Sequence, residues 1–203
     1  MTVKVKICGV TKIEDARAAI EFGADMIGVN FYAPSPRSVS LERASEIRDA
    51  IDAAHKVVGV FVNAPRDFVE GCLIRARLDL LQFHGDEPDS FLEEWPVPVI
   101  RALRLKSGEK FEPAAYASSI YILLDTFHPG LYGGTGAKRP LSDLCGLDLT
   151  RVFISGGLNP DNVREAVELS PYAVDVASGV ESAPGIKDHD KLRRFIRNAK
   201  SAR

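Results

Sequence analysis

The 203-residue sequence has few of the residues that disulfide frameworks and zinc sites require. It contains three cysteines and four histidines, with no CxxC pair and no Cys/His cluster at metal-ligand spacing. Cys8, Cys72 and Cys145 are far apart along the chain and odd in number. We therefore expect neither a disulfide-stabilised domain nor a metal site, and a reducing compartment is favoured.

The sequence also lacks a large excess of either charge and has no long apolar run. The formal net charge of -2 gives no electrostatic signature of a protein that binds nucleic acid or an anionic membrane. The initial MTVKVKICGV is too short and too charged for a signal peptide, and no apolar run approaches membrane-spanning length. We expect a cytoplasmic protein without nucleic-acid or membrane partners.

Short apolar runs are present in number, and they alternate with helix-patterned segments along the whole chain. The runs are VKVKIC, DMIGVNFY, KVVGVFVN, LDLLQFHG, VPVIRALRL, IYILLDTF, RVFISGG and AVDVASG. Most are continuously apolar, which is typical of strands covered on both faces of a parallel sheet.

This alternation predicts a small single-domain (β/α)8 TIM barrel over residues 1–203. An open doubly wound sheet is the alternative, although it would normally use fewer strands at this length. The segment KSGEKFEPAAYASS offers at most two helical turns, so we expect a reduced helix after strand five.

Several intervening segments carry helix signals. Thr11 and Glu14 have capping-box spacing, Ser40 is an expected N-cap, and Pro160 is expected at a helix start. The segment DHDKLRRFIRNAK predicts a terminal helix with an apolar stripe and a solvated basic face.

In a barrel of this kind, active-site residues lie at the carboxyl ends of the strands. Reactive or polar residues at these predicted ends are Cys8, Asn30 to Arg37, Asn63, Gln82, His84, Arg101, Arg104, Asp125, Ser155, Asp175 and Ser178. Each also has a structural interpretation. Cys8 could be a packing residue, Asp125 a capping carboxylate, Arg37 a solvated loop residue and His84 a rim histidine. We expect Cys72 and Cys145 to be packing residues.

Two glycine-containing turns near the end of the chain, FISGGLNPDNV and VDVASGVE, indicate an anion site. Glycine lets the backbone approach an anion closely, and phosphate binding after strands seven and eight is frequent in this fold. Tight strand-to-helix turns would explain either segment alone, but the adjacent pair favours phosphate. GLYGGTGAKRP lacks the GK[ST] of a P-loop and is read as a flexible loop after strand six.

The chain resembles the phosphoribosylanthranilate isomerases of tryptophan biosynthesis, an aromatic amino-acid pathway. The resemblance rests, in order along the chain, on KICGVT, SPRSVS, VGVFVN, QFHGDE, LLDT followed by GGTG, SGGLNPDNV, and VDVASGVE before PGIKDHDKL. It implies a small cofactor-free barrel that performs an Amadori rearrangement, converting N-(5-phospho-β-D-ribosyl)anthranilate to 1-(2-carboxyphenylamino)-1-deoxy-D-ribulose 5-phosphate. Other sugar-phosphate barrels, and a silent barrel that only binds a metabolite, are the rival interpretations.

The resemblance also assigns roles to residues. It makes Cys8 the general base, Asp125 the general acid and Arg37 the partner of the anthranilate carboxylate. The remaining expected site residues are grouped by ligand: Gln82, His84 and Asp175 for the substrate, and Gly156, Gly157, Ser178 and Gly179 for its phosphate. The expected partner is this small phosphosugar, bound by a monomer or a homodimer.

The rearrangement requires a proton delivered to the ribose ring oxygen and a proton removed from the adjacent carbon. One acid and one base suffice for both steps, without metal or redox cofactor. As the base, Cys8 must be a thiolate, so we expect its pKa to fall from ~8.5 toward neutrality. Lys6, which shares side-chain parity with Cys8, and a helix beginning at Thr11 are the two candidates for that effect.

Overall fold

Eight parallel strands close into a barrel in which every strand pairs with its neighbours in chain order. The computed structural model describes residues 2–105, 111–113, 121–126 and 141–201. The strands are β1 (Lys4–Ile7), β2 (Met26–Asn30), β3 (Lys56–Phe61), β4 (Leu80–Phe83), β5 (Val99–Leu105), β6 (Tyr121–Thr126), β7 (Val152–Ile154) and β8 (Ala173–Val176). Pairing of β1 with β8 completes the ring and confirms the predicted barrel.

Helices cover the outside of the barrel between the strands. They are α1 (Ile13–Glu21), α2 (Leu41–Asp49), α3 (Arg66–Arg75), α4 (Asp89–Leu92), α5 (Val163–Glu168) and α6 (His189–Ser201), with 3-10 turns at Leu141–Leu144 and Ser178–Val180. A short antiparallel hairpin, β9 (Glu181–Ala183) and β10 (Ile186–Lys187), precedes α6. Of the segment predicted to form a short helix after strand five, the structure describes only residues 111–113, and the predicted loop at 130–140 lies outside the described residues.

The helices bury the faces that their apolar patterns predict. Leu192, Phe195 and Ile196 of α6 are fully buried against the barrel, as expected from their spacing. Ser40 caps α2 by accepting a hydrogen bond from the Arg43 amide, which confirms that prediction. None of the helices in the described ranges has the length and apolar content needed to cross a membrane.

The barrel interior changes character from one end to the other. Its lower part is an apolar cluster of Met26, Val58, Leu80, Ile100, Ala102, Leu123, Phe153 and Ala173. Side chains in a strand alternate between faces, so the residues two positions further along face the same interior. In β4, β6 and β8 those residues are Gln82, Asp125 and Asp175, all buried. The strands thus place a polar layer directly above an apolar one, at the carboxyl-terminal mouth.

Two predicted helix starts are wrong. Helix α1 begins at Ile13 without a side-chain cap, because the Thr11 hydroxyl instead donates to the carbonyl of Gly185 at 2.6 Å. Helix α5 begins at Val163 rather than at Pro160, because a turn in which the Asn159 amide donates to the side chain of Asn162 precedes it.

The three cysteines have different environments. Cys72 is buried in α3, as a packing residue should be. Cys145 is exposed, so its predicted packing role is wrong; it follows the 3-10 turn Leu141–Leu144 instead of lying on a buried helix face. Cys8 is partly exposed at the end of β1, where a pocket opens.

Candidate active site

A pocket that is partly open to solvent occupies the carboxyl-terminal mouth of the barrel. All the predicted site residues line it: Cys8, Arg37, Gln82, His84, Asp125, Gly156, Gly157, Asp175, Ser178 and Gly179. The strand order therefore gathers residues from widely separated parts of the chain at one place.

Other polar residues expected at the strand ends lie away from this pocket. Arg101 forms an ion pair with Asp89, and Arg104 forms one with Asp86. The side chain of Asn63 accepts a hydrogen bond from the Asp86 amide. These three side chains contact the chain just after β4, at the rim of the barrel.

Beneath the thiol of Cys8 lies a buried ion pair between the first and last strands. Lys6 is fully buried, and its Nζ lies 2.7 Å from Oδ1 of Asp175. The Ser155 hydroxyl donates to the other oxygen of Asp175 at 3.1 Å. Lys6 also interacts with Cys8. A Cβ on Gly28 would lie 3.0 Å from the Cys8 sulfur and 3.2 Å from Lys6 Nζ, so glycine on β2 leaves the space that this arrangement needs.

The expected fall in the pKa of Cys8 is not found. Burial raises the pKa of the thiol, and the nearby carboxylate of Asp175 adds to the rise. The ammonium groups of Lys6 and Lys187 act in the opposite direction without overcoming these effects. Of the two candidates named from the sequence, Lys6 does favour the thiolate, whereas the chain at Thr11 is not yet helical.

On the side of β4 and β6, Gln82, His84 and Asp125 form a second buried group. The Gln82 amide nitrogen lies 3.0 Å from Nδ1 of His84. Nε2 of the same ring lies 3.3 Å from Oδ2 of Asp125, close but not aligned as a hydrogen bond. A carboxyl group and an imidazole are thus side by side, facing Cys8 across the barrel mouth.

Arg37 is not a solvated loop residue. It lies in the loop after β2, where its amide donates to the hydroxyl of Ser35. Its guanidinium donates to both carboxylate oxygens of Glu181, and Glu181 in turn accepts from the buried Nζ of Lys187. Glu181 and Lys187 were not among the expected site residues, although they lie within the segments VDVASGVE and PGIKDHDKL that carry the family resemblance.

The turns after β7 and β8 meet closely and form one side of the pocket. Gly156 and Gly157 have φ values of 83° and 67°, a conformation that favours glycine. A Cβ on Gly179 would lie 1.9 Å from the carbonyl oxygen of Leu158, so only glycine allows the two turns to touch. Asn162 fixes the first turn by donating to the carbonyl of Gly157 at 3.0 Å.

The site therefore contains three separate groups of functional residues. A thiol with a buried lysine faces a carboxyl group with an imidazole, which is suited to removing one proton and delivering another. A guanidinium held at the rim suits a carboxylate, and the glycine-containing turns suit a phosphate. A ligand with a carboxylate on one side of its reacting atoms and a phosphate on the other would contact all three groups.

Comparison with known proteins gives a consistent result. The family model described as N-(5'phosphoribosyl)anthranilate (PRA) isomerase matches residues 5–198. The chain is similar to the N-(5'-phosphoribosyl)anthranilate isomerase of Pseudomonas fluorescens strain Pf0-1, at 48% identity over 96% of this chain and 97% of the relative.

Solved structures show the same similarity. The phosphoribosyl anthranilate isomerase of Thermus thermophilus matches with a TM-score of 0.89 and 38% identity, covering 99% of this chain and all of the other. A phosphoribosyl anthranilate isomerase in complex with reduced 1-(o-carboxyphenylamino)-1-deoxyribulose 5-phosphate matches with a TM-score of 0.84 and 38% identity, covering 98% of this chain and 99% of the other.

Proposed function

Because the chain belongs to the N-(5'-phosphoribosyl)anthranilate isomerase family, we propose that Cys8 and Asp125 are the base and the acid of its Amadori rearrangement. The enzyme is an intramolecular oxidoreductase of tryptophan biosynthesis. It converts N-(5-phospho-β-D-ribosyl)anthranilate to 1-(2-carboxyphenylamino)-1-deoxy-D-ribulose 5-phosphate. The observation that carries the assignment of roles is that a thiol and a carboxyl group line one pocket together with the Arg37 guanidinium and two glycine-containing turns.

Asp125 is placed to begin the reaction. Protonation of the ribose ring oxygen by its carboxyl group would open the C–O bond and leave an iminium at the carbon bearing the anthranilate nitrogen. His84, with Nε2 at 3.3 Å from the Asp125 carboxyl, is positioned to orient that group and to exchange protons with it. The chemistry needs the acid within reach of the ring oxygen, which the phosphate anchor beside β7 would ensure.

Cys8 would complete the reaction. Its thiolate would remove the proton from the carbon next to the iminium, giving an enolamine that becomes the product ketone by tautomerisation. Lys6 supplies the positive charge that favours the thiolate, and Asp175 fixes Lys6 in place at 2.7 Å. With one acid and one base, each electron pair moves within the substrate, so we propose a reaction that uses no cofactor.

The two anions of the substrate fit the two remaining elements. Arg37 would hold the anthranilate carboxylate, since a guanidinium matches a planar carboxylate with parallel N–H donors. The phosphate would lie against the turns that contain Gly156, Gly157, Ser178 and Gly179, with Gln82 and Asp175 on the floor beneath the ribose. Binding at both ends would fix the reacting carbon between acid and base.

The location and the assembly are also proposals. A biosynthetic step on a phosphosugar is expected in the cytoplasm, and all three cysteines are free, as they would be in a reducing compartment. The enzyme is expected to act as a monomer or a homodimer.

The test follows loss of substrate anthranilate fluorescence with wild type, Cys8→Ala and Asp125→Asn. Both variants should lower kcat on the order of 10²–10⁴-fold, the usual contribution of one proton-transfer group. Matched controls are Cys145→Ala, at an exposed cysteine, and Asp148→Asn, at a carboxylate outside the pocket. Near-normal turnover in Cys8→Ala or Asp125→Asn would remove that residue from its role, and an inactive wild type would refute the isomerase assignment.

Product-analogue binding separates catalysis from recognition. The reduced product analogue should bind Cys8→Ala and Asp125→Asn about as well as it binds wild type, because Arg37 and the phosphate turns are intact. If binding failed together with turnover, the two residues would be structural or ligand-anchoring groups instead.

A further inference from the structure

Glu181 engages one complete edge of the Arg37 guanidinium. Its Oε1 accepts from Nε of Arg37 at 2.9 Å, and its Oε2 accepts from Nη2 at 2.7 Å. The carboxylate side chain is only 4% exposed, so this is a paired contact at the inner side of the rim. A two-point contact of this kind fixes the plane of the guanidinium as well as its distance.

Lys187 anchors the same carboxylate from below. Its Nζ is buried and donates to three acceptors: Oε1 of Glu181 at 2.9 Å, the carbonyl of Cys8 at 2.7 Å and the carbonyl of Ala177 at 3.2 Å. An ammonium has three protons, so all of its donors are used. Lys187 therefore has no donor left for a ligand, and its role is to join the carboxyl ends of β1 and β8 to Glu181.

Charge favours this arrangement. Arg37 and Lys187 lower the pKa of Glu181 despite its burial, so the carboxylate stays ionised. Burial lowers the pKa of Lys187, and the negative charge of Glu181 opposes that effect. Two cations and one anion leave the group with one net positive charge beside the pocket, which a single ligand carboxylate would neutralise.

Arg37 retains an edge for such a ligand. Contacts with Glu181 use Nε and one proton of Nη2, and within the described part of the chain no hydrogen bond to Nη1 is found. The free edge therefore consists of Nη1 and the second proton of Nη2. That edge offers two parallel N–H donors to a planar carboxylate.

We infer that Glu181, anchored by Lys187, is a positioning residue that orients the Nη1–Nη2 edge of Arg37 toward the aromatic carboxylate of the substrate. The inference rests on the proposed function, because it takes that carboxylate as the partner of Arg37. Glu181 touches no reacting atom; it acts by fixing Arg37 before the substrate binds. Because Lys187 also holds the Cys8 carbonyl, the carboxylate site and the proposed base are tied to one anchor.

A double-mutant cycle with two ligands tests this role. The ligands are reduced 1-(2-carboxyphenylamino)-1-deoxyribulose 5-phosphate and the same molecule with an unsubstituted phenyl ring, measured by titration calorimetry. Wild type is compared with Glu181→Gln, Arg37→Met and the double variant. Glu181→Gln should lower the affinity for the carboxylate ligand roughly tenfold, as expected for loss of a charge-assisted contact. The affinity for the phenyl ligand should change less than about twofold.

The two residues should also be coupled. In the Arg37→Met background, Glu181→Gln should cause no further loss of affinity for the carboxylate ligand, because the effect of Glu181 depends on Arg37. In turnover, Glu181→Gln should raise KM roughly tenfold while kcat stays within about threefold, since binding and not proton transfer is affected. Glu42→Gln, which removes an exposed ion pair with Arg75, is the matched control and should leave both parameters unchanged.

The possible failures are distinguishable. Equal weakening of both ligands by Glu181→Gln would make Glu181 a merely structural residue and overturn the inference, as would an unchanged affinity for the carboxylate ligand. Neither result affects the proposed function, which is tested separately by turnover of wild type and of the Cys8 and Asp125 variants. If Glu181→Gln does not fold, Glu181→Asp keeps the charge beside Lys187 but shortens the reach to Arg37, and the same selective loss is expected.

Discussion

Nζ of Lys6 and Oδ1 of Asp175 lie 2.7 Å apart inside the barrel, joining the first strand to the last beneath the thiol of Cys8. The two residues are partners in the register of β1 and β8, so closure of the barrel creates the pair directly. Lys6 has no exposed surface. A buried lysine costs desolvation energy that its buried partners must offset, so we expect the pair to be kept for its effect on Cys8 and not for stability.

The first prediction concerns the pH dependence of catalysis. Burial raises the pKa of Cys8, so the thiolate fraction, and with it kcat/KM, should increase with pH until the thiol is titrated. Lys6→Met removes a cation that favours the thiolate, so the inflection should move to higher pH. At a pH below the inflection, where the thiolate is the minor form, kcat/KM of Lys6→Met should therefore lie below that of wild type.

Lys4→Met is the control for that experiment. Lys4 lies two residues earlier and its ammonium pairs with Asp25 at the other end of the barrel. Its pH profile should match that of wild type. An inflection in Lys6→Met at the wild-type pH would show that Lys6 does not govern ionisation of the base.

The second prediction concerns Gly9. A Cβ at this position would lie 2.5 Å from Cδ of Arg37, and φ is +68°, so the glycine both turns the chain and lets the arginine side chain cross it. Gly9→Ala should destabilise the fold by about 1–2 kcal/mol through backbone strain alone. It should also raise KM by displacing Arg37, while kcat changes little.

Gly71→Ala provides the comparison for Gly9→Ala. Gly71 lies within α3, and a Cβ there would have no neighbour within 4 Å. Replacing an unconstrained helical glycine should stabilise the protein by about 0.5–1 kcal/mol and leave KM unchanged. Thermal unfolding and substrate titration measure both effects. An unchanged KM in Gly9→Ala would mean that Arg37 does not need the path over this residue.

Much of the fold and the site could be predicted because their determinants are local. Strands buried on both faces appear as continuous apolar runs, and parallel strands in a barrel all end at one mouth. A residue that follows such a run, as Asp125 follows YILL, is therefore placed in the site without knowledge of its contacts. Parity along β1 likewise placed Lys6 on the same side as Cys8.

The rest depends on contacts between distant parts of the chain. Glu181 lies 144 residues from Arg37, and Lys187 lies 179 residues from Cys8, so neither partner is visible in a local pattern. Thr11 has the local pattern of a helix cap, but a tertiary contact with Gly185 replaces that role. The predicted fall in the pKa of Cys8 is wrong for the same reason, since the degree of burial is a property of the assembled barrel.

The third prediction concerns the contact between the turns after β7 and β8. Gly179→Ala would place a methyl group 1.9 Å from the carbonyl oxygen of Leu158, so the turns must separate. Affinity for inorganic phosphate should fall at least tenfold, because the two glycine-containing turns would no longer be in contact. Gly146→Ala, at φ +81° in open space, should cost a similar backbone strain without affecting phosphate binding. Equal phosphate affinity in Gly179→Ala and wild type would place the phosphate elsewhere.

The last prediction concerns the protonation of His84. The Gln82 amide nitrogen lies 3.0 Å from Nδ1, and an amide NH₂ can only donate, so in this orientation we expect Nδ1 to be the unprotonated nitrogen. The proton then resides on Nε2, which faces Asp125 at 3.3 Å and can donate once the carboxyl group has given up its own proton. Nitrogen-15 NMR should therefore show the Nε2–H tautomer for His84 in wild type.

Gln82→Met removes the donor that selects this tautomer. The two forms of His84 should then coexist, and kcat should fall by roughly tenfold because part of the population cannot donate to Asp125. Substrate KM should rise less than kcat falls, since the anchors at Arg37 and the phosphate turns are untouched. A wild-type spectrum with the proton on Nδ1 would reverse the assignment: Gln82 would then accept through its oxygen, and His84 would face Asp125 as an acceptor.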